Sequence, residues 1–205
     1  MIAFLHTSPV HIERFDKICK NLNPTLQIQH FVNEGLLENA LKNGFVNDQE
    51  LKKQIDLIES HKPQIIICTC STLGEACSPF TSVKRIDEPV ITHLVENYQT
   101  VLLVYAAHST KEISEQLINK VALSQNKTIE IVACDCTSSW TYFKQNDFKS
   151  YSESIAETIR KTNITNAAIF LAQASMDGVP SELPELKDSI FTSPYFGVRH
   201  YLKEL

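Results

Sequence analysis

The amino-acid sequence predicts an α/β fold of two pseudo-symmetric lobes, each a mostly four-stranded parallel sheet flanked by helices, with a cleft between the lobes. Three observations support this prediction. Apolar segments alternate with amphipathic helical segments along the whole chain. The apolar segments are rich in Ile and Val and nearly continuous, which is typical of parallel strands buried on both faces. The second half of the chain then repeats the order of elements of the first half.

The first half reads as β-α-β-α-β followed by a fourth strand. Ser8 and Pro9 begin the first helix, because Ser is a good N-cap and Pro suits a first turn. Gly44 ends the second helix, and a capping box formed by Asn47 and Glu50 opens the third. The expected strands are IAFL (2–5), QIQHFV (27–32), QIIIC (64–68) and residues 83–86, and the apolar helix positions are Ile12, Phe15, Ile18 and Leu22, then Leu36, Leu37, Ala40 and Leu41, then Leu51, Ile55 and Ile58.

The second half follows the same plan. Two of its helices are expected to open with capping boxes, one at Ser109 and Glu112 and the other at Ser150 and Glu153. The expected strands are TVLLVYA (100–106), TIEIVA (128–133), AAIFL (167–171) and a short one near 189–192, and the further helices begin at Pro89 and Tyr195.

Spacing indicates that the halves are structural copies. His6 and Cys70 are 64 residues apart, whereas His108 and Gln173 are 65 residues apart. The predicted first lobe is residues 1–95 plus 190–205 and carries Cys70. The predicted second lobe is residues 96–189 and carries Gln173. The chain would cross between them near 87–89 and again near 193–194, which leaves the last helix on the first lobe.

Composition excludes several classes of function. The chain has 205 residues, a formal net charge of -5 and no cluster of Lys and Arg, which argues against a nucleic-acid partner. No segment approaches the roughly 18 apolar residues of a membrane span. The six cysteines come without the short length or leader of a disulfide scaffold, so we expect reduced thiols. These features predict a cytoplasmic protein with a small-molecule partner and no membrane partner, and a homodimer is one option for its assembly.

Polar residues follow the first and third strands of both halves. Ligands of open parallel sheets bind beyond the carboxyl ends of the strands, where helix N-termini present amide groups. If the two sheets face each other, four such segments converge on one hydroxyl-rich anion pocket without a metal. The segments are His6-Thr7-Ser8, Cys70-Ser71-Thr72, His108-Ser109-Thr110 and Gln173-Ala174-Ser175.

Cys70 is the residue in these segments best suited to covalent or acid–base chemistry. Thr72 and Glu75 form a further capping box, so the sequence predicts a helix directly after the thiol. A thiol at a helix N-terminus has a lowered pKa and can serve as a base or nucleophile near neutral pH. The alternative is that Cys70 is a small buried apolar residue, as expected of Cys19 and Cys68.

Three motifs resemble the aspartate/glutamate/hydantoin racemase superfamily. They are TCST after the third strand, LAQASM at the matching place in the second half, and VKRIDEP between the lobes. The resemblance covers essentially the whole chain. It implies two Rossmann-like lobes and a cofactor-independent isomerase in which two cysteines exchange protons at the α-carbon of an amino acid or related acid, with no pyridoxal phosphate or metal.

The resemblance carries over to only one of those two cysteines. Cys70 matches the first, and Ser71 and Thr72 occupy the adjoining positions that hold a substrate carboxylate. Ala172-Gln173 stands where a Gly-Cys pair would supply the second thiol, and an amide cannot exchange protons in its place. The hypothesis is therefore a single-thiol enzyme acting on a small carboxylate, with Cys70 as base, acid or nucleophile. The substrate ligands are expected among His6, Ser71, Thr72, His108, Ser109, Thr110, Gln173 and Ser175.

Related reactions and simpler interpretations stay open at this point. The chain could be a decarboxylase or isomerase of the same superfamily, or a degenerate copy that only binds a small acid. His6 and His108 could instead be structural histidines. Arg85 and Arg199 could supply a counter-charge to the ligand, but surface salt bridges are the simpler interpretation of both.

Four further residue groups also have two interpretations. The pairs Cys68/Cys70 and Cys134/Cys136 could in principle form a zinc site, although their spacing is tighter than usual. Asp87 and Glu88 would form a hinge or a helix cap. The aromatic residues Trp140, Tyr142 and Phe143 form either a lid over the pocket or part of the core.

Overall fold

The computed structural model describes residues 1–205 and divides the chain into two compact units. The first unit is residues 1–88 with 194–205, and the second is residues 89–193. The predicted division placed the boundaries at 95/96 and 189/190, so the structure assigns residues 89–95 and 190–193 to the second unit instead.

The first unit contains one parallel sheet. Its strands are β1 (Ile2–His6), β2 (Ile28–Val32), β3 (Ile65–Cys68) and β4 (Val83–Arg85), and its first three helices are α1 (His11–Leu22), α2 (Glu34–Asn43) and α3 (Asp48–Ser60). The spatial order is β2-β1-β3-β4, and every neighbouring pair is parallel. Strands β1 and β3 are buried along their whole length, which explains their unbroken apolar sequences.

The second unit repeats this plan. Its strands are β5 (Thr100–Tyr105), β6 (Glu130–Asp135), β7 (Ala168–Leu171) and β8 (Ile190–Thr192), and its helices are α4 (Glu88–Asn97), α5 (His108–Ser124), α6 (Trp140–Lys144) and α7 (Phe148–Lys161). The spatial order β6-β5-β7-β8 is the same permutation as in the first sheet, again with parallel neighbours. The prediction of two duplicated parallel sheets flanked by helices is confirmed.

The last helix, α8 (Ser193–Glu204), packs on the first unit as predicted. The Tyr201 hydroxyl donates a 2.7 Å hydrogen bond to the carbonyl of Arg85. Gly197 lies so close to Ile86 that a Cβ at this position would be 2.6 Å from Ile86 Cδ1. Glycine is therefore required here for close approach of the helix.

Strand register corrects one predicted equivalence between the halves. Leu5 pairs with Cys68 across β1 and β3, and Val104 pairs with Leu171 across β5 and β7. The residue equivalent to His6 is therefore Tyr105, not His108. His108 lies three residues further along the chain, where it begins α5.

Some predicted helix ends are confirmed. Gly44 ends α2 in the left-handed conformation, with φ of 80°. The Asn47 side chain caps α3 by accepting hydrogen bonds from the amides of Gln49 at 3.1 Å and Glu50 at 3.2 Å. Both ends were predictable because the capping residue sits next to a strong amphipathic pattern.

Three predicted N-caps are wrong. Helix α1 begins at His11, after a turn in which the Ser8 carbonyl accepts from the His11 amide. Helix α5 begins at His108, so Ser109 already lies within its first turn. At α7 the carboxylate of Asp147 accepts from the Ser150 amide and starts the helix earlier than expected. A carboxylate three residues upstream is the better acceptor for a helix N-terminus.

Two of the three aromatic residues after β6, Trp140 and Phe143, pack against the core of the second unit, whereas Tyr142 is 40% exposed. Trp140 stacks on Phe143 with a centroid distance of 4.6 Å, and both pack against the cluster that contains Tyr151. This favours the core interpretation over the lid. No helix of the chain combines the length and apolarity that a membrane-spanning segment needs.

Candidate active site

Three strands of the first sheet end side by side at the candidate site. Register pairs Leu5 of β1 with Cys68 of β3, and Cys68 with Arg85 of β4. The segments that leave these strands therefore start level with one another. They carry Thr7, Cys70 and Asp87.

Cys70 differs from every other cysteine in the chain by its exposure. The other five cysteines are buried, whereas Cys70 is partly exposed at the carboxyl end of β3. Buried thiols act as small apolar residues, while a partly exposed thiol can meet a small molecule. Cys70 also packs against the apolar core of the first unit, so both the functional and the structural interpretation stay open.

Three hydrogen-bond donors surround the Cys70 sulfur. They are the Thr7 hydroxyl and the backbone amides of Leu73 and Thr72. In the sequence-based prediction, Thr7 lies in one of the four polar segments of the pocket, but no role is assigned to Thr7 or Leu73. The parallel register of β1 and β3 could have identified Thr7. Leu5 pairs with Cys68, Thr7 lies two residues after Leu5, and Cys70 lies two residues after Cys68.

The segment after Cys70 is not the α-helix that the sequence predicted. Two short 3₁₀ turns, Ser71–Leu73 and Glu75–Cys77, replace it, and the predicted capping box of Thr72 and Glu75 is wrong. Such short turns lack the aligned peptide dipoles of a long α-helix. The sulfur therefore receives individual amide donors without a strong dipole behind them.

The expected lowering of the Cys70 pKa is also wrong. Although part of the residue reaches the surface, burial around the sulfur raises the pKa from 9.0 to about 11, and the neighbouring Cys68 adds to this rise. The donors from Thr7, Leu73 and Thr72 act in the opposite direction but do not outweigh burial. Cys70 is consequently a thiol, not a thiolate, at neutral pH.

We expect iodoacetamide to label Cys70 in native protein with a steep pH dependence. The raised pKa favours the uncharged thiol, so labelling should rise about tenfold per pH unit until the pH approaches about 11. Peptide mapping by mass spectrometry, with Cys70→Ala as the blank, identifies the labelled site. A rate that levels off below pH 9 would contradict the effect of burial and restore the thiolate prediction.

Ser71 and Thr72 are less accessible than the resemblance implied. Ser71 is 7% exposed and Thr72 is 6% exposed, and both already take part in contacts within the protein. Their predicted role as carboxylate ligands remains a prediction.

His6 does not face a ligand, which corrects its assignment as a substrate-binding residue. The residue is fully buried, with Nδ1 2.8 Å from the Thr69 hydroxyl and Nε2 2.8 Å from His30 Nδ1. His30 Nε2 continues the chain to the Asp16 carboxylate at 3.3 Å. Both ring nitrogens of His6 are occupied because β2 and β3 supply partners on either side of it.

The two ends of this histidine chain have fixed directions. The Asp16 carboxylate can only accept, so His30 Nε2 donates to it. The Thr69 hydroxyl donates to the Leu5 carbonyl at 3.2 Å. Burial, together with smaller effects of His30 and His11, lowers the pKa of His6 from 6.5 to about 3, so its neutral form is the stable one in the fold.

We expect acid to destabilise the first unit through His6 and His11. Burial lowers the pKa of His11 to about 4, and nearby Arg14 adds to the effect. Between their unfolded value of 6.5 and these folded values, the unfolded chain binds more protons. Stability is therefore full above pH 6.5 and falls as the pH drops, by about 1.4 kcal/mol per pH unit for each such histidine.

Urea unfolding at pH 7.5, 6 and 5 checks this expectation. His6→Gln should flatten the pH dependence of the unfolding free energy, whereas the exposed His200→Gln should not. Parallel pH profiles for His6→Gln and the wild type would contradict it.

Arg85 is not the surface salt-bridge residue that the sequence suggested. It is 7% exposed, and its Nε and Nη2 each donate a 2.9 Å hydrogen bond to the carboxylate of Asp87, which is 1% exposed. Its Nη1 is buried without a hydrogen-bond partner, although the Glu75 carboxylate lies 3.8 Å away. Asp87 is thus part of a buried ion pair. It also directly precedes α4, at the boundary between the two units, so its role as a hinge or helix cap remains a prediction.

The strand ends of the second unit carry Gln173 in the place equivalent to Cys70. The Ala106 amide donates a 2.7 Å hydrogen bond to Gln173 Oε1. This contact matches the one between Thr7 and Cys70, since register places Ala106 level with Gln173. The side-chain amide is held in position but has no proton-exchanging group.

His108, Ser109, Thr110 and Ser175 are placed differently from one another. His108 is exposed, beside Tyr105 and the Asp135 carboxylate, and Ser109 is half-buried with a contact of its own. Thr110, the third residue of α5, is 2% exposed. Ser175 is 8% exposed, and its hydroxyl pairs with that of Tyr151 at 3.0 Å. The roles of Thr110 and Ser175 as substrate ligands, like those of Ser71 and Thr72, remain predictions.

The remaining cysteines do not assemble a metal site. Cys134 and Cys136 are buried in the second unit with their sulfurs 3.9 Å apart. No group of three or more His, Cys, Asp or Glu side chains is arranged to hold a metal ion. The two cysteines instead lie in the apolar core of that unit.

Comparison with solved structures finds this fold among racemases. Aspartate racemase from Picrophilus torridus matches with a TM-score of 0.74 and 16% identity, over 94% of this chain and 88% of the other. Glutamate racemase from Francisella tularensis subsp. tularensis matches with a TM-score of 0.74 and 14% identity, over 100% and 80%. Allantoin racemase from Klebsiella pneumoniae matches with a TM-score of 0.67 and 15% identity, over 98% and 86%.

Sequence comparisons add nothing to these structural matches, since no family model and no curated protein sequence matches the chain. The predicted resemblance is nevertheless confirmed at the level of the fold. With its two four-stranded parallel sheets flanked by helices, this chain has the fold of the aspartate, glutamate and allantoin racemases.

Proposed function

We propose that this protein is a cofactor-independent enzyme that transfers a proton at the α-carbon of a small carboxylate, with Cys70 as its only thiol acid or base. The observation that carries the proposal is the state of Cys70. It is the one partly exposed cysteine of six, and it lies at a strand end with three donors around its sulfur. The structures that share the fold are named as racemases of aspartate, glutamate and allantoin, which supports chemistry at a carbon bearing an acidic proton.

The surroundings of the sulfur suit proton transfer in both directions. When Cys70 gives up its proton, the Thr7 hydroxyl and the amides of Thr72 and Leu73 stabilise the negative charge on sulfur. Solvent hydroxide takes the Cys70 proton, and the thiolate then removes the α-proton of a bound acid. The new S–H exchanges its proton with solvent and returns one to the same face, which retains the original stereochemistry. Proton transfer of this kind typically contributes 10²- to 10⁴-fold to a rate.

The residue equivalent to Cys70 in the second unit limits the reaction that we propose. Inversion at carbon needs a second acid on the opposite face, and Gln173, the equivalent of Cys70, carries only an amide. A lone Cys70 exchanges the α-proton without inverting the centre. The expected signature is therefore deuterium incorporation with retained optical activity.

The raised pKa of Cys70 favours a second candidate reaction, decarboxylation. A thiol with a pKa of about 11 holds its proton at neutral pH and is better prepared to donate than to accept one. In a malonate-type acid, the bond between the α-carbon and one carboxylate breaks, CO₂ leaves, and the electron pair stays as an enediolate. The Cys70 S–H then protonates the α-carbon, and solvent returns a proton to the sulfur.

A substrate panel followed by NMR in D₂O tests both reactions. The panel contains aspartate, glutamate, a hydantoin, and malonate with its α-substituted derivatives, each incubated at pH 7.5 and 9.5. We expect α-deuterium incorporation with retention, or loss of CO₂ with one deuterium gained at the α-carbon. Full racemisation would show that another residue replaces the missing thiol. Binding measured by calorimetry without either reaction would instead identify a small-acid binding protein and end the proposal.

A further inference from the structure

The turn that carries the amide donors for Cys70 rests on a buried guanidinium. Gly74 joins the two 3₁₀ turns, and a Cβ added there would be 2.5 Å from Arg85 Nε and 2.7 Å from Nη2. Gly74 has an ordinary right-handed helical conformation, with φ of -53°, which any residue can adopt. Glycine is required here by space alone, because the backbone lies directly against the Arg85 side chain.

Arg85 is itself held rigidly. Two 2.9 Å hydrogen bonds fix its guanidinium to Asp87, and the Tyr201 hydroxyl from α8 holds its backbone carbonyl. The bidentate geometry sets the plane of the guanidinium as well as its position. Its Nη1 remains buried without a hydrogen-bond acceptor, an arrangement that costs free energy and that packing alone would not favour. Arg85 therefore presents a fixed flat surface to Gly74.

We propose that Arg85 is a positioning residue for the reactive thiol. Its guanidinium, which Asp87 holds in place, fixes the position of the Gly74 backbone. This position in turn directs the amides of Thr72 and Leu73 toward the Cys70 sulfur. Arg85 touches no reacting atom and acts through the turn. The inference rests on the proposed function only in taking Cys70 as the reactive group, and its test needs no substrate.

The test compares thiol reactivity in two glycine variants of the same unit. Gly74→Ala forces the turn away from Arg85, whereas Gly35→Ala in α2 places its Cβ 3.4 Å from the Asn33 side chain and is the matched control. We expect the iodoacetamide labelling curve of Cys70 in Gly74→Ala to move to higher pH. At a fixed pH below the transition, labelling should be about tenfold slower, because amide donors to the thiolate are lost. Gly35→Ala should match the wild type.

Asp87→Asn supplies a second variant that does not crowd the turn. Asn has nearly the volume of Asp but weakens the two hydrogen bonds that fix the Arg85 guanidinium. Iodoacetamide labelling of Cys70 in the folded variant should therefore also be slower than in the wild type. Circular dichroism checks that each variant is folded at the assay temperature. Wild-type labelling curves in folded Gly74→Ala or in folded Asp87→Asn would overturn the inference.

The two proposals fail in different ways. If Cys70 proves to have no role in turnover, the labelling shifts above are still measurable and still decide the role of Arg85. If Arg85 has no role in positioning, folded Asp87→Asn keeps the wild-type labelling curve while Cys70→Ala still loses activity.

Discussion

Cys70→Ala is expected to lower α-proton exchange, or decarboxylation, by at least about 10²-fold while leaving ligand affinity within about twofold of the wild type. The variant removes the only partly exposed thiol and the atom on which Thr7, Thr72 and Leu73 converge. It leaves the backbone donors in place, so ligand binding should survive. Rates come from NMR in D₂O, and affinity comes from calorimetry with the same acid.

Cys19→Ala is the matched control for this prediction. Cys19 is a buried cysteine on the core face of α1, so its replacement also removes one sulfur from the first unit. It should leave turnover per folded molecule unchanged. Equal rates for Cys70→Ala and the wild type would refute the chemical role of Cys70.

Asp87→Ala is expected to destabilise the protein by about 3–5 kcal/mol, the largest effect on stability that we predict. The substitution leaves the Arg85 guanidinium buried without its carboxylate, in a site where Nη1 already lacks a hydrogen-bond partner. Uncompensated buried charge is among the most destabilising changes a fold can suffer. The measurement is the free energy of unfolding from urea titration at pH 7.5.

Asp56→Ala provides the comparison for Asp87→Ala. Lys52 and Asp56 also form a short ion pair, at 2.7 Å, but their side chains are 62% and 53% exposed. Exposed pairs of this kind contribute about 1 kcal/mol or less, because water screens both charges. Similar losses in the two variants would show that the Arg85–Asp87 pair is no more important than a surface contact.

The strands were the most predictable part of this fold. Segments such as Ile65–Cys68 are buried on every face, so burial alone dictates an unbroken apolar sequence that can be recognised without coordinates. The repeat of strand order in the second half follows from the same signal. Helix starts were harder, since several Ser, Thr and Asp residues lie near each N-terminus and only geometry selects the acceptor, as Asp147 shows.

The candidate site was predictable in outline but not in its electrostatics. Cys70 was identified because it follows a buried strand. The direction of its pKa shift was not, because that shift depends on how much water the folded chain excludes and on whether an α-helix or a 3₁₀ turn follows. His6 illustrates the same point. Its partners, His30 in β2 and Thr69 directly after β3, are far apart in the sequence, so only the assembled sheet reveals that both its nitrogens are occupied.

Arg85 shows why residue type alone misleads at a sheet edge. Arginine is rarely buried, and a surface salt bridge was the natural expectation. Register pairs Arg85 with Cys68, however, and thereby places it at the same edge as the thiol, beneath the turn that contains Gly74. Sequence spacing could not have supplied this contact, because it depends on the pairing of β3 with β4.

The central claim, that Cys70 is the reactive group, is tested most directly by measuring the loss of activity as Cys70 is progressively labelled. Native protein is treated with increasing iodoacetamide at pH 9, and the fraction of Cys70 carrying the label is determined by peptide mapping alongside the rate of α-proton exchange or decarboxylation. The proposed role predicts a straight line that reaches zero activity when one label per chain occupies Cys70. Activity that persists after complete labelling of Cys70 would contradict it.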